Sequence, residues 1–190
     1  MSVIIFDTET TGLIKPDSNN LGEQPEIIEF FACKFIPGLD FQQMEKIHIY
    51  LKPSKPISAE ISRITGINND YVANCPSFAE CYDKLVDFFI GSKTMIAHNL
   101  AFDRSMIANE LLRIDKVLNF PWPPEHLCTV EMSMHIEQRR LSLTKLHQYA
   151  TTKTEIDGAH TAGGDVRALV ICYDWFINKG GGDVQFGSTD

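Results

Sequence analysis

The chain of 190 residues contains no apolar run near the roughly 20 residues that a membrane-spanning helix requires, so no membrane association is expected. Its start has no basic stretch followed by an apolar run and a small-residue cleavage site, and no secretion signal is expected. Cysteines are few and scattered: Cys33, Cys75, Cys81, Cys128 and Cys172, with no C-x-x-C pair. That excludes a zinc knuckle and argues against a disulfide frame, leaving reduced thiols in a cytoplasmic protein. Positive charge is also scarce. Lys and Arg number 17 against 25 Asp and Glu, a formal net charge of −8. A tight, sequence-blind duplex binder carries a basic stripe, and this chain has none. An acidic protein that grips only a short strand end, with metal ions neutralising phosphate, remains compatible with that charge. There is no internal repeat.

What is present is ordinary globular composition, 44% apolar and 22% charged. This length suits one well-cored domain, expected over residues 1–178. A glycine-rich stretch follows, and 179–190 reads as a flexible tail.

The chain is organised around its first residues. Val3-Ile4-Ile5-Phe6 reads as a strand buried on both faces. It runs into Asp7-Thr8-Glu9. Side chains alternate along a strand, so Asp7 and Glu9 point to one place and Thr8 to the other side. Two carboxylates that close repel unless a cation lies between them or one keeps a proton. Oxygen-only ligands suit a hard divalent ion such as Mg2+ or Mn2+.

Residues 13–25 are polar and turn-rich and form a loop long enough to be functional. Glu26–Ile36 and Phe41–Leu51 read as two further strands, giving an antiparallel meander with the first. Ser58 and Ser77 each precede a helical segment as caps, and Asn68 begins another short segment between them. Thr94–Ala97 reads as a parallel strand reached by a helical crossover. A helix follows over about 100–114, then a last strand at Leu127–Val130. Helices are expected over 143–149 and 162–178. The fold class is therefore α/β, a mixed five-stranded sheet of antiparallel meander plus parallel strands, flanked by helices.

Two more acids stand at informative positions. Asp103 lies in the first turns of the helix that leaves the fourth strand, and Asp165 near the start of the last helix. Taken singly, each also complements a helix dipole. His160 precedes Asp165 by five residues, which on one helix would turn them about 140° apart. Gly158, Gly163 and Gly164 argue instead for a loop that delivers His160 and a helix that delivers Asp165.

Taken together, Asp7-Thr8-Glu9-Thr10-Thr11-Gly12, His98-Asn99-Leu100-Ala101-Phe102-Asp103 and His160-Thr161-Ala162-Gly163-Gly164-Asp165 resemble the DEDDh exonucleases, and among them the proofreading subunits of bacterial replicative DNA polymerases. The resemblance runs from about Val3 to Asn178. It implies a ribonuclease-H-like fold and 3′-to-5′ hydrolysis of nucleic acid with two divalent cations, Mg2+ or Mn2+. Carried over, Asp7, Glu9, Asp103 and Asp165 are the expected metal ligands and His160 the general base. Thr8, Thr10, Thr11, Gly12, Leu13, His98, Asn99 and Phe102 are the expected substrate contacts. For four of these a plainer reading stands beside the functional one: Leu13 and Phe102 as core, His98 as a capped strand end, Asn99 as a helix cap. The expected partner is a single-stranded 3′ end, DNA favoured over RNA, with a DNA polymerase or replication complex as a further partner. An RNA-trimming enzyme and a non-catalytic polymerase-associated module are the alternatives.

Overall fold

The computed structural model describes residues 2–180. Strands β1 (Ser2–Thr10), β2 (Ile27–Phe35), β3 (Lys46–Tyr50), β4 (Ser92–Ala97) and β5 (Glu125–Cys128) form one sheet in the order β3-β2-β1-β4-β5. The first three pair antiparallel, and β4 joins β1 and β5 in parallel. Helices α1 (Ala59–Thr65), α2 (Asn69–Val72) and α3 (Phe78–Phe89) cross from β3 to β4. α4 (Leu100–Arg113) crosses from β4 to β5, and α5 (Thr129–Glu137), α6 (Leu143–Thr151) and α7 (Ala162–Trp175) follow. The chain continues as one π turn, Phe176–Gly180. Most of the tail expected over 179–190 lies outside the described residues. Among the described residues no helix is long and apolar enough to cross a membrane.

β1 sits at the centre because both its faces are apolar. Ile4 and Phe6 pack on one side with Phe30, Phe89, Met95, Met106 and Leu111, all nearly solvent-free. Ile5 packs on the other with Cys33, Ile96, Val166 and Leu169. The helix caps follow the sequence: Ser58, Asn68 and Ser77 accept from backbone amides, and Ser77 with Glu80 forms a reciprocal capping box.

Several boundaries differ from expectation; the last helix, for one, ends at Trp175, and two of the differences have a local cause. The third strand begins at Lys46 rather than Phe41, because Phe41–Gln43 is a 3-10 turn whose Gln42 amide donates to Asp40 Oδ1 at 2.7 Å. Lys46 Nζ stabilises that turn by donating to the carbonyls of Phe41, Gln42 and Met44. The last strand is Glu125–Cys128, and Thr129 and Val130 open α5, a helix absent from the sequence reading. Of its four buried residues two are polar, Thr129 and Ser133, so no apolar stripe announces it. Ser133 Oγ donates to the Val130 carbonyl and accepts from the Leu141 amide, which replaces apolar contact as the reason for burial.

Phe89 has no exposed surface and its ring lies 6.1 Å from Phe6, 6.2 Å from Phe30 and 4.9 Å from Phe120. Truncating it leaves a cavity where four rings meet. Phe89→Ala is expected to lower stability by about 3–5 kcal/mol, read as a lower denaturant midpoint with an unchanged slope.

Candidate active site

The alternation of β1 does what its sequence requires. Asp7 and Glu9 share the face that α7 covers, and α7 brings Asp165 from its first turn. Carboxylate oxygens of Asp7, Glu9 and Asp165 all lie within 4.8 Å of one another. Asp103 comes from α4 on the opposite face, and the residue is 2% exposed. Asp103 Oδ1 accepts from the Thr8 amide at 3.0 Å and from Thr8 Oγ1 at 2.7 Å. Asp103 thus stands outside the tight trio yet near enough to repel Asp7.

These acids disfavour ionisation in each other's presence. Burial, then repulsion from Asp103, Asp165 and Glu9, raises Asp7 well above the usual carboxylate range. Glu9 is pushed up to about 8 by burial first, then by Asp165, Glu29 and Asp103. Burial lifts Asp103 to about 7 against the two hydrogen bonds from Thr8. Asp165 rises to about 6 by burial, opposed by His160. Among the described residues no Lys or Arg pairs with any of the four. An all-oxygen donor set without a counter-charge fits hard divalent cations.

His160 lies in the turn before α7, exposed, with a left-handed backbone (φ 63°). Among the described residues no hydrogen bond fixes its ring. The turn is packed tightly on the helix it precedes. Gly158 takes φ 78°, and a Cβ built on Gly164 would meet the Gly158 carbonyl oxygen at 2.0 Å. Thr161 caps α7 by accepting from the Gly164 amide. The expected division, a loop for His160 and a helix for Asp165, is the one observed.

The expected substrate contacts fall into two groups. Thr8 and Thr10 are buried, and their hydroxyls donate inward, to Asp103 and to the Gly12 carbonyl. Thr8 is therefore a support for Asp103. Thr11 pairs with Glu26 through its amide and hydroxyl, which anchors the turn. The open positions are Gly12, with no atom within 4 Å of where a Cβ would sit, and Leu13, 80% exposed. His98 Nδ1 lies 2.9 Å from Thr129 Oγ1, and burial depresses the ring to about 4, so it is neutral near pH 7. Asn99 occupies the cap position of α4 but is left-handed (φ 69°) and makes no side-chain cap bond, which corrects the capping reading and leaves its amide exposed. Phe102 is half-buried against the core. A concavity of about 800 Å3 is lined by Phe41, Met44, His147, Arg167 and Trp175 among others, and Asp7, Glu9, Asp103 and Asp165 do not line it. The carboxylates mark the chemistry better than the concavity does.

Sequence reasoning missed Glu29 and Thr129. Glu29 is 1% exposed and directly opposite Glu9 across the β1–β2 pair. Its signal was visible: one acid inside the apolar run Ile27-Ile28-Glu29-Phe30-Phe31. Thr129 had none.

Fold and site together define a ribonuclease-H-like domain with a carboxylate centre at the end of its central strand. Residues 4–173 match the family model of the RNase_T exonucleases, and the chain belongs to that exonuclease family. It is 32% identical over 178 residues to a PolC-type DNA polymerase III of Caldanaerobacter subterraneus, 93% of this chain and 12% of that protein. It is 35% identical over 107 residues to the DNA polymerase III subunit epsilon of Escherichia coli, 53% of this chain and 39% of that one. The chain thus spans less than half the length of these relatives. Among solved structures, the nuclease domain of 3′hExo, a DEDDh family member bound to rAMP, superposes with TM-score 0.76 at 15% identity, covering 100% of this chain and 97% of that one. Exonuclease X in complex with 5′ overhanging duplex DNA gives 0.64 at 20% identity, covering 94% and 93%. The resemblance carried by the three motifs is borne out.

Two outcomes follow from this geometry. The acids hold protons more tightly in the fold than in the unfolded chain, so folding takes protons up. Stability of the metal-free protein is greatest below the unfolded carboxylate range and falls as pH rises through about 6 for Asp165 to about 8 for Glu9. Melting temperature without metal should therefore drop by several degrees from pH 5 to pH 8, and Mg2+ or Mn2+ should restore it at pH 8. Gly164→Ala should destabilise the fold by about 1–3 kcal/mol in a denaturant titration, since the new methyl displaces the Gly158 backbone.

Proposed function

We propose that this domain is a metal-dependent 3′-to-5′ exonuclease that hydrolyses phosphodiester bonds at single-stranded DNA 3′ ends and releases nucleoside monophosphates. The observation that carries the reading is the approach of Asp7, Glu9 and Asp165 to within 4.8 Å. Membership of the exonuclease family supports it, as do relatives named for DNA polymerase III.

Asp7, Glu9 and Asp165, with Asp103 directly or through water, would hold two Mg2+ or Mn2+ ions, which when bound stabilise charge on the attacking and departing oxygens. His160 takes the proton of the attacking water. Its exposed position in a turn beside Asp165 suits a base that meets bulk solvent, and a neutral imidazole carries a ring nitrogen that can accept the water's proton. Thr8 holds Asp103 in place from behind. The turn at Thr10, Thr11 and Gly12 leaves room at Gly12 for the terminal nucleotide to approach the backbone. Leu13 and Phe102 offer apolar surface to the last bases, a contact tolerant of sequence. His98, neutral and held by Thr129, and Asn99, with a free amide, are placed to receive the terminal nucleotide as hydrogen-bonding groups. A cytoplasmic DNA polymerase or replication complex is the partner that the relatives suggest.

The test is release of end label from single-stranded DNA, duplex DNA and RNA, with Mg2+, with Mn2+ and with chelator. Metal-dependent release from single-stranded DNA 3′ ends is expected. Faster release from RNA would move the substrate to RNA, and no release from any 3′ end with metal present would favour a non-catalytic module. In the same assay His160→Ala should lose about 100-fold or more of turnover while Mn2+ affinity stays near native. Asp7→Asn should lose both.

A further inference from the structure

Glu29 is a carboxylate in the sheet interior that the chemistry above does not use. It lies on β2, on the same face as Asp7 and Glu9, and directly opposite Glu9. Like charges in that arrangement weaken a sheet pair. A residue so placed requires compensation, and its two oxygens find it on separate elements. Oε1 lies 2.7 Å from His48 Nε2, on β3. Oε2 accepts from the backbone amide of Ala162 at 3.2 Å.

The second contact bears on the site. Ala162 is the first residue of α7, fully buried, two residues after His160 and three before Asp165. Its amide is one of the orphan donors of a helix start, where a carboxylate is favoured. Thr161 already satisfies the Gly164 amide from within the turn. Glu29 satisfies the Ala162 amide from the sheet, and so joins the strand bearing Glu9's partner residue to the turn that bears His160 and Asp165. On the other side the His48 ring, itself partly open to solvent, has Phe31 at 5.1 Å and Tyr50 at 4.6 Å as aromatic neighbours. The Phe31 ring in turn lies 3.3 Å from where a Cβ on Gly163 would be, so helix start and sheet are in contact on both sides of the hydrogen bond.

We infer that Glu29, held by His48, is a positioning residue for the reaction proposed above: its hydrogen bond to the Ala162 amide sets the distance between the Asp7–Glu9 strand and the His160–Asp165 turn. The inference rests on the exonuclease reading. It concerns placement of the base and the last acid, and Glu29 is not one of the acids whose oxygens converge.

The experiment compares the unaltered chain, Glu29→Met and Glu29→Gln in release of label from a single-stranded DNA 3′ end at saturating Mn2+, with melting followed in parallel. Methionine fills a similar volume and removes a buried charge, but it offers the Ala162 amide no oxygen. Glutamine keeps an acceptor for Ala162 and a donor for His48. Glu29→Met should lower kcat about tenfold or more with KM within about threefold, since misplacing reacting groups acts on the chemical step. Glu29→Gln should stay within about threefold of native kcat. Should Glu29→Met fail to fold, Ala162→Pro removes the donor instead, at a helix position that tolerates proline, and the same fall in kcat is expected. Native kcat in the acceptor-less or donor-less variant overturns the inference, as does an equal loss in Glu29→Gln, which would assign the effect to charge. An unaltered chain that releases no nucleotide overturns the exonuclease reading and this inference together.

Discussion

Carboxylate repulsion at the end of one buried strand is the constraint around which this fold is built. Asp7 and Glu9 are carried there by the two-residue period of β1, whose preceding residues are locked into cores on both sheet faces. Asp165 and Asp103 arrive from helices on opposite faces. No Lys or Arg pairs with the acids among the described residues, and burial with mutual repulsion pushes their proton affinity up. A cation of high charge density, held by oxygens alone, is the natural counterweight. The cluster is costly to the empty fold and useful only when occupied, which is the pattern of a functional site that stores instability against a ligand.

Crowding of that kind needs rigid supports, and several of them join elements far apart in the chain. Thr8 grips Asp103 across 95 residues of sequence. Gly164 lets the Gly158 carbonyl approach the helix start without a methyl between them. Glu29 reaches the Ala162 amide across 133 residues. On the far side of β2, the Glu110 carboxylate accepts from the Ile27 amide and pairs with Arg113, which also donates to the carbonyls of Leu21, Gln24 and Pro25. The loop after β1 is thereby tied down at its return to the sheet, close to the open positions Gly12 and Leu13. Rigidity at the acids and exposure at the neighbouring turn are separate properties, supplied by different residues.

Much of this was legible in the sequence because it depends on local rules. Alternation predicted the pairing of Asp7 with Glu9, and glycines around His160 predicted its separation from the helix of Asp165. Serine caps located α1 and α3. The unread parts depend on tertiary contacts. α5 buries Thr129 and Ser133 through hydrogen bonds and so shows no apolar period. Asn99 has the composition of a helix cap but a left-handed backbone, because the chain must turn sharply from β4 into α4. Thr8 was correctly assigned to the face opposite Asp7, yet its partner Asp103 is visible only once α4 is packed. Glu29 had a sequence signal, a charge inside a fully buried strand, but its partners on β3 and α7 did not.

The most direct measurement is anomalous diffraction from crystals grown with Mn2+. The account predicts anomalous density bounded by the carboxylates of Asp7, Glu9 and Asp165, with Asp103 facing it directly or across a water. Density confined to other acids, or none at this cluster at neutral pH and saturating Mn2+, would contradict it.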